Sequence, residues 1–442
     1  MKEAEYVSVK EQGMTYEEAR AWLDSISKKG SSLGLERMYD LVRELNNPQD
    51  QLKFIHIAGT NGKGSVMTYL EHTLKLAGYR VGRYLSPALF CYEETIRVNG
   101  RYITKEEVAE LSDILKGACE RLEAAGKDVP TIFEVETAMA FLHFQRHGCE
   151  IVLLECGMGG ETDATNVVKN TILEIFSSIS LDHMEYLGDT VQQIAQIKAG
   201  ILKEGSVAVS DQQSAGVEAV LGGKAREKGI PIRFADEKQV TDVKRSVTEQ
   251  TFSYRKHENM TICMAGTWQI RNACAALEAV DALRDLGWSL PENTVRAGFA
   301  SARLEGRFEI ICREPMVIMD GAHNPEAALR LRETLEAYFP GKELVFIMGV
   351  FADKDYTQEI ALTAPLAKRI YTVQTKDNPR ALDAAVLAEA VRKINPDVVC
   401  AGSVPKALEQ ALGEAGDEDV IICFGSLSWL HEAREYLERG AS

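Results

Sequence analysis

The junction at residues 54–77 constrains the fold more than any other stretch of the chain. Phe54-Ile-His-Ile-Ala58 is an apolar run of strand length, residues 59–65 (Gly-Thr-Asn-Gly-Lys-Gly-Ser) form a glycine-rich turn, and Ser65–Ala77 has helical spacing. Gly78 is placed to stop that helix. A strand that passes through a tight turn into a helix is a βα unit, and βα units in series build a parallel sheet.

Gly59, Gly62 and Gly64 carry no Cβ, so the backbone can curl and aim successive N–H groups at an anion. The helix N-terminus adds its positive end. Lys63 supplies a point charge for outer phosphates, and Ser65 a hydroxyl suited to phosphate or Mg²⁺. The spacing is tighter than G-x-x-x-x-G-K-[ST], because Gly64 separates Lys63 from Ser65. Gly59, Thr60, Asn61, Gly62, Lys63, Gly64 and Ser65 are expected to bind a nucleoside triphosphate; the plainer alternative is a turn with no ligand.

The βα rhythm continues. Strands are expected at Val81–Leu85, Ile151–Leu154 and Thr171–Ser180, with helices at Thr131–His147 and Thr190–Leu202. It restarts near the C-terminus with strands at Val317–Met319, Leu344–Met348, Ile370–Val373 and Val420–Phe424. Helices are expected there at Pro325–Tyr338, which begins with proline, and at Ala381–Lys393. This predicts an α/β protein of two domains, the first with a mostly parallel sheet and helices on both faces, the second a smaller α/β domain. Residues 296–310, with Arg303, Gly306 and Arg307, are the expected linker.

At 442 residues, with 45% hydrophobic and 26% charged side chains, the chain can bury two substantial cores. Its net charge of −16 argues against a nucleic-acid partner, which needs cationic side chains for phosphates. The nine cysteines show no Cys-x-x-Cys pair, and Cys156, Cys312 and Cys423 sit in apolar runs, the pattern of buried thiols in a reducing compartment. Residues 1–13 have no signal-like apolar core, and no run reaches the ~18 apolar residues of a membrane span. The expected location is the cytoplasm.

Ser86, Glu155 and His183 each fall at or just beyond the C-terminal end of an expected strand, where an open parallel sheet gathers its ligand. Glu155 follows Ile-Val-Leu-Leu, and a charge in that setting needs a partner.

The loop AGTNGKGS resembles that of the Mur ligase superfamily, in particular the folylpolyglutamate synthase/dihydrofolate synthase family. The likeness runs in order through Ser86-Pro87, residues 131–135 (TIFEV), residues 154–166 (LECGMGGETDATN), Leu181-Asp182-His183, residues 197–201 (IKAGI), and Gln269 with Asn272. It continues through Gly306-Arg307, Asp320-Gly-Ala-His-Asn-Pro325, Asp353-Lys354-Asp355 and Gly425-Ser426-Leu427. The resemblance implies a P-loop-type ATP-binding domain over 1–300 and a smaller Rossmann-like ligase domain over 301–442. It also implies ATP-dependent addition of L-glutamate to a folate, to dihydropteroate, or to both, through an acyl phosphate. Such an enzyme would act in folate and one-carbon metabolism, and a monomer is expected.

The same resemblance implies site roles. Ser86, Glu155 and His183 would hold Mg²⁺, with a second ion possible. Lys198, whose bland reading is a solvated lysine, would be carbamylated. Asn272 and Asp320 would contact the nucleotide, Arg307 its phosphates, and His323 would lie near the reacting groups. Phe133, Glu134 and Val135, with Thr162, Asp163 and Ala164, would line the pterin side; packing and helix capping are their alternative. Asp353-Lys354-Asp355 is either a solvated loop or a contact with the amino acid or the other domain.

Three positions depart from the family pattern: Ala88 where His usually follows Ser-Pro, Glu161 where Arg usually follows Gly-Gly, and Trp268 where His is common before Gln269. The first two are expected around the acceptor pocket. The competing readings are a muramyl-peptide ligase, a nucleotide-dependent switch without ligase activity, and a phosphotransferase. The muramyl-peptide reading is disfavoured by the roughly 50 residues before the loop.

Overall fold

A computed structural model describes residues 13–27, 34–376, 378–416 and 418–440. The stretch 1–12, read above for a signal segment, lies outside them. Among the described residues, no helix is long and apolar enough to cross a membrane.

The first sheet is built from β1 (Phe54–Ala58), β2 (Val81–Tyr84), β3 (Ile96–Val98), β4 (Arg101–Tyr102), β5 (Ile151–Glu155), β6 (Thr171–Phe176), β7 (Val207–Ser210) and β8 (Ile232–Phe234). Their order is β4-β3-β2-β5-β1-β6-β7-β8, parallel from β2 to β8 and antiparallel at the β3 and β4 edge. β1 and β5 are buried at every position, because helices cover both faces of the central strands. One face packs on the helix Lys63–Leu76, the other on the helices Lys105–Ala124 and Ile132–Arg146. β9 (Val240–Arg245), β10 (Gln250–Tyr254) and β11 (His257–Ile262) then form a small antiparallel sheet.

The chain next returns to the first domain. Helices Gln269–Asp285 and Glu292–Ser301 pack on Lys63–Leu76, with Tyr69 stacked on Phe299 at 4.8 Å. The expected linker is therefore shorter than its sequence suggests. Residues 296–301 are helical, with Phe299 fully buried, which leaves 302–308 as the connection.

The second domain holds β12 (Glu309–Arg313), β13 (Met316–Met319), β14 (Leu344–Met348), β15 (Ala367–Val373), β16 (Val398–Gly402) and β17 (Val420–Phe424). Their order is β12-β13-β17-β14-β15-β16, with only β12 antiparallel. Apolar clusters line both of its faces. All nine cysteines are free; Cys156 and Cys423 are buried, whereas Cys312 is only partly covered.

Candidate active site

Residues 59–65 connect β1 to the helix Lys63–Leu76. The loop is anchored to the end of β6, since the Thr60 and Asn61 N–H groups both donate to the Ser178 carbonyl, at 2.7 and 3.3 Å. Gly62 has φ +88°, and a Cβ there would stand 2.5 Å from Asn272 Oδ1. Only glycine fits this close approach in the left-handed region. Asn272 is in turn held by Gln269, whose amide reaches Ser65 Oγ at 3.2 Å. The helix Gln269–Asp285 thus forms one wall of the loop. Lys63 Nζ donates to the Gly59 and Thr60 carbonyls at 3.2 and 3.1 Å and lies 3.6 Å from Glu155 Oε1.

Glu155 ends β5 and is 6% exposed. The Ser86 N–H donates to its Oε2 at 3.2 Å. Burial pushes the Glu155 carboxyl up, and Lys63 opposes the shift. A buried carboxylate with one N–H and one lysine near it retains acceptor capacity toward the cavity. His183 sits in the left-handed region (φ +48°), its N–H donating to Asp182 Oδ1 at 2.9 Å. Ser86, Glu155 and His183 line one cavity with Thr60–Ser65, so a hydroxyl, a carboxylate and an imidazole border the space beside the loop.

Lys198 is 5% exposed, and its Nζ donates to the Gly59 carbonyl at 3.0 Å. Burial and the neighbouring Lys63 lower its pKa to about 8. The solvated-lysine reading does not hold.

The second domain closes the cavity from the opposite side. Asp320 follows β13 and accepts the Phe308 and Ala322 N–H groups, each at 2.9 Å; burial pushes its pKa up to about 6 against the pull of Arg307. His323 Nδ1 lies 2.7 Å from the Gly321 carbonyl, and burial lowers its pKa to about 4. Arg307, Asp320, His323 and Asn272 all line the same cavity as the phosphate loop. Of the cluster 353–355, Lys354 bonds Asp182 of the first domain at 2.7 Å, which makes it a contact between domains.

Sequence reasoning missed several groups here. Glu326, in the first turn of the helix Pro325–Tyr338, accepts from Asn61 Nδ2 and from Ser178 Oγ, each at 2.7 Å. In the sequence it reads as an ordinary acidic residue favouring a helix N-terminus. Arg271 and Arg330 add cations to the cavity wall, and Arg271 is fixed by Asp211 at 2.7 Å. Their spacing carries no signal, because their elements meet only in the folded chain. Trp268 also lines this cavity.

A larger cavity adjoins the first, about 740 Å³ against about 230 Å³, and shares Ser86, Pro87, Gly157, His183, His323 and Leu427 with it. Phe133, Glu134, Thr162, Asp163 and Ala164 line the larger space. Phe133 covers Gly157 closely, its ring 2.5 Å from where a Cβ would stand. Glu134 also caps its helix through the Thr131 N–H at 2.6 Å and pairs with Arg37 at 3.1 Å. Asp163 is buried and accepts the Met158 and Thr165 N–H groups at 2.7 and 3.0 Å. Val135 is a correction: it is fully buried in the apolar layer behind the cavity and does not line it, because it points to the opposite side of the helix from Phe133. Ala88 borders the cavity. Glu161 is also corrected: it is exposed and absent from the lining, its N–H bound to the Ile197 carbonyl at 3.1 Å.

A phosphate loop on one domain and an Asp-Gly-Ala-His-Asn-Pro turn on another, meeting across a cleft, define a two-domain nucleotide-dependent ligase. Comparison with known proteins agrees. The Mur ligase middle domain matches residues 57–280, and the Mur ligase glutamate ligase domain matches 306–427. Dihydrofolate synthase/folylpolyglutamate synthase of Bacillus subtilis is 31% identical over 96% of this chain and 99% of its own length. The crystal structure of Mycobacterium tuberculosis folylpolyglutamate synthase complexed with ADP and AMPPCP has a TM-score of 0.86 at 30% identity, over 95% of this chain and 98% of that one. The Escherichia coli FolC complex with DHPP and ADP gives 0.83 at 30% identity, over 96% and 98%. The chain belongs to the folylpolyglutamate synthase/dihydrofolate synthase family of the Mur ligases, and it is an ATP-dependent ligase. The muramyl-peptide, switch and phosphotransferase readings give way to it.

Proposed function

We propose that the protein joins L-glutamate to the carboxylate of a reduced folate or of dihydropteroate, with ATP cleaved to ADP and phosphate. The observation that carries this reading is the shared wall between the two cavities. The smaller one holds the phosphate loop, the larger one is sized for an extended acceptor, and His183 and His323 stand at their junction. An acceptor carboxylate placed there meets the outer phosphate of a nucleotide lying on the loop.

The acceptor carboxylate attacks the γ-phosphorus to give an acyl phosphate, and the glutamate amine then displaces phosphate at the acyl carbon. The chain contributes placement and charge neutralisation. Gly59, Thr60, Asn61, Gly62, Gly64 and Ser65 cradle the phosphates, while Lys63 and Arg307 neutralise charge from opposite sides. Asn272 and Asp320 hold the nucleotide. Ser86, Glu155 and His183 fit a Mg²⁺ ion: a buried carboxylate with spare acceptor capacity and a hydroxyl suit a hard cation that keeps phosphate oxygens and water in its shell. Held by these three residues, Mg²⁺ would supply positive charge to the phosphate oxygens. A lysine lowered to about 8 has a neutral fraction able to take up CO₂, which supports carbamylation of Lys198, and the resulting anion would orient the phosphate or a second ion.

Phe133, Glu134, Thr162, Asp163 and Ala164 form the acceptor wall, with the ring of Phe133 as its apolar face. We place the division between the domains at 300/301, in the last turn of the helix Glu292–Ser301 and just ahead of the connection 302–308. An ADP-release assay with L-glutamate, run in parallel with dihydropteroate and tetrahydrofolate, tests the function. Release that depends on both an acceptor and glutamate is the expected result; release indifferent to either would overturn it.

A further inference from the structure

The helix Ile132–Arg146 borders the larger cavity with its first turn and carries a second constellation at its far end. His143 and the C-cap residue His147 are four residues apart and share one face, with ring centroids 4.3 Å apart. The neighbouring helix Lys105–Ala124 brings Glu107 against both. Its Oε1 lies 2.6 Å from His147 Nε2 and 3.8 Å from His143 Nδ1. The three donor atoms fall within 4.8 Å of one another.

Two further observations turn this cluster toward a ligand. Glu107 Oε2 is already used, accepting the Thr104 N–H at 2.9 Å in a capping box, so the carboxylate is held with Oε1 facing the imidazoles. His143 is 2% exposed, and its Nδ1 has no hydrogen-bond partner. A buried polar atom facing a carboxylate beyond hydrogen-bond range is costly unless something bridges the gap. The Glu107–His147 hydrogen bond alone leaves that atom unsatisfied.

We propose that Glu107, His143 and His147 form a binding site for a divalent cation of the Zn²⁺ class, which clamps the two helices together. Two imidazoles and one carboxylate suit Zn²⁺, Co²⁺ or Ni²⁺, whereas Mg²⁺ takes oxygen ligands. Bonds of about 2.0–2.1 Å in a tetrahedron set ligand atoms roughly 3.3 Å apart. The His147 contact must therefore open and the His143 contact close, each by less than about 1 Å. His147 is 39% exposed and free to make that adjustment, and its side leaves a fourth position open to water. The Thr104 N–H supplies the outer hydrogen bond that orients the carboxylate. Ten residues separate Phe133 from His143, about 15 Å along a helix, so the ion takes no part in the chemistry. It would fix the helix whose other end forms the acceptor wall.

The test uses the full-length, tag-free, EDTA-stripped protein with its nucleotide cleft filled by MgADP. Zn²⁺ is titrated calorimetrically and Co²⁺ is followed by its visible absorption. One equivalent of Zn²⁺ should bind and raise Tm, and Co²⁺ should develop the intense bands of a four-coordinate site. His147→Gln, at a partly exposed position, should weaken Zn²⁺ binding at least tenfold and abolish the rise in Tm, and Glu107→Gln should do the same. His183→Gln, in the other cluster, should leave this binding intact. Failure of the wild-type protein to bind Zn²⁺, or equally tight binding in the His147→Gln and Glu107→Gln variants, would overturn the proposal.

Discussion

Lys354 Nζ of the second domain lies 2.7 Å from Asp182 Oδ1 of the first, one residue before His183. Both side chains are almost wholly enclosed, at 12% and 13% exposure. Burial alone would push the Asp182 carboxyl up, but the Lys354 ammonium and His183 together outweigh it and hold it at about 2. Together with the bonds from Asn61 and Ser178 to Glu326, this pair ties the second domain to both sides of the phosphate site.

Lys354→Met should therefore act mainly on closure. A hydrogen bond to a charged group contributes about 1.5–3 kcal/mol, so kcat/KM should fall roughly 10- to 100-fold and stability by no more than that amount. The pH dependence has a defined sign. Asp182 is depressed in the folded state, so its contribution is full above the unfolded value of about 3.9 and is lost as pH falls toward 2. Differential scanning of wild type and variant should show their difference shrinking over that window.

Lys63→Ala should reduce acceptor- and glutamate-dependent ADP release by about 10²–10³-fold, the scale seen when one charge-stabilising donor is removed. Steady-state ADP release measures it, and near-normal turnover would count against the assigned role.

Gly62→Ala puts a methyl group 2.5 Å from Asn272 Oδ1 at φ +88°. The left-handed backbone alone costs about 1–2 kcal/mol, and displacement of Asn272 adds to it. Tm should fall, and nucleotide affinity, measured by calorimetry with ADP, should fall further than stability does.

Carbamylation of Lys198 needs the neutral amine, whose fraction rises as pH climbs through about 8. In CO₂-depleted buffer, added bicarbonate should stimulate activity, and intact-mass spectrometry at alkaline pH should detect the adduct. Lys198→Ala should show neither response.

Phe133 and Val135 should separate by kinetics. Phe133→Ala removes the apolar face of the larger cavity and should raise the acceptor KM with little change in the KM for ATP. Val135→Ala, in the core, should cost about 1.5–3 kcal/mol of stability and leave both KM values in place.

The central strands and their helices were legible because burial on both sheet faces leaves plain apolar runs. Leu344–Met348, Val420–Phe424 and Pro325–Tyr338 are observed as read, and Thr131 caps a helix one residue inside its expected start. The antiparallel sheet β9–β11 was not legible. Five of the six β9 residues are exposed, so Val-Thr-Asp-Val-Lys-Arg shows no buried alternation. The expected helix Thr190–Leu202 tightens into a 3₁₀ turn after Lys198, where Gly200 packs against Glu161. Site residues at the ends of parallel strands could be found one by one, because topology sends them to one crevice. Glu326, Arg271 and Arg330 could not, since their roles arise from which helix faces which across two domains. Val135 failed for a local reason: a matching sequence fragment does not say which side of a helix faces the cavity.

The packing of Glu292–Ser301 on Lys63–Leu76 carries a consequence for biosynthesis. The helix that follows the phosphate loop leaves the ribosome early, but the cover of Tyr69 and Thr73 is completed only when Phe299 and Gly298 arrive. Asn272 and Gln269, which buttress Gly62 and Ser65, also come late. A nascent chain stopped before residue 269 would display an unbuttressed loop, and one stopped before residue 298 would leave that face of the helix bare. The first-domain half of the nucleotide site is thus finished only late, just before the second domain begins to emerge with Arg307 and Asp320.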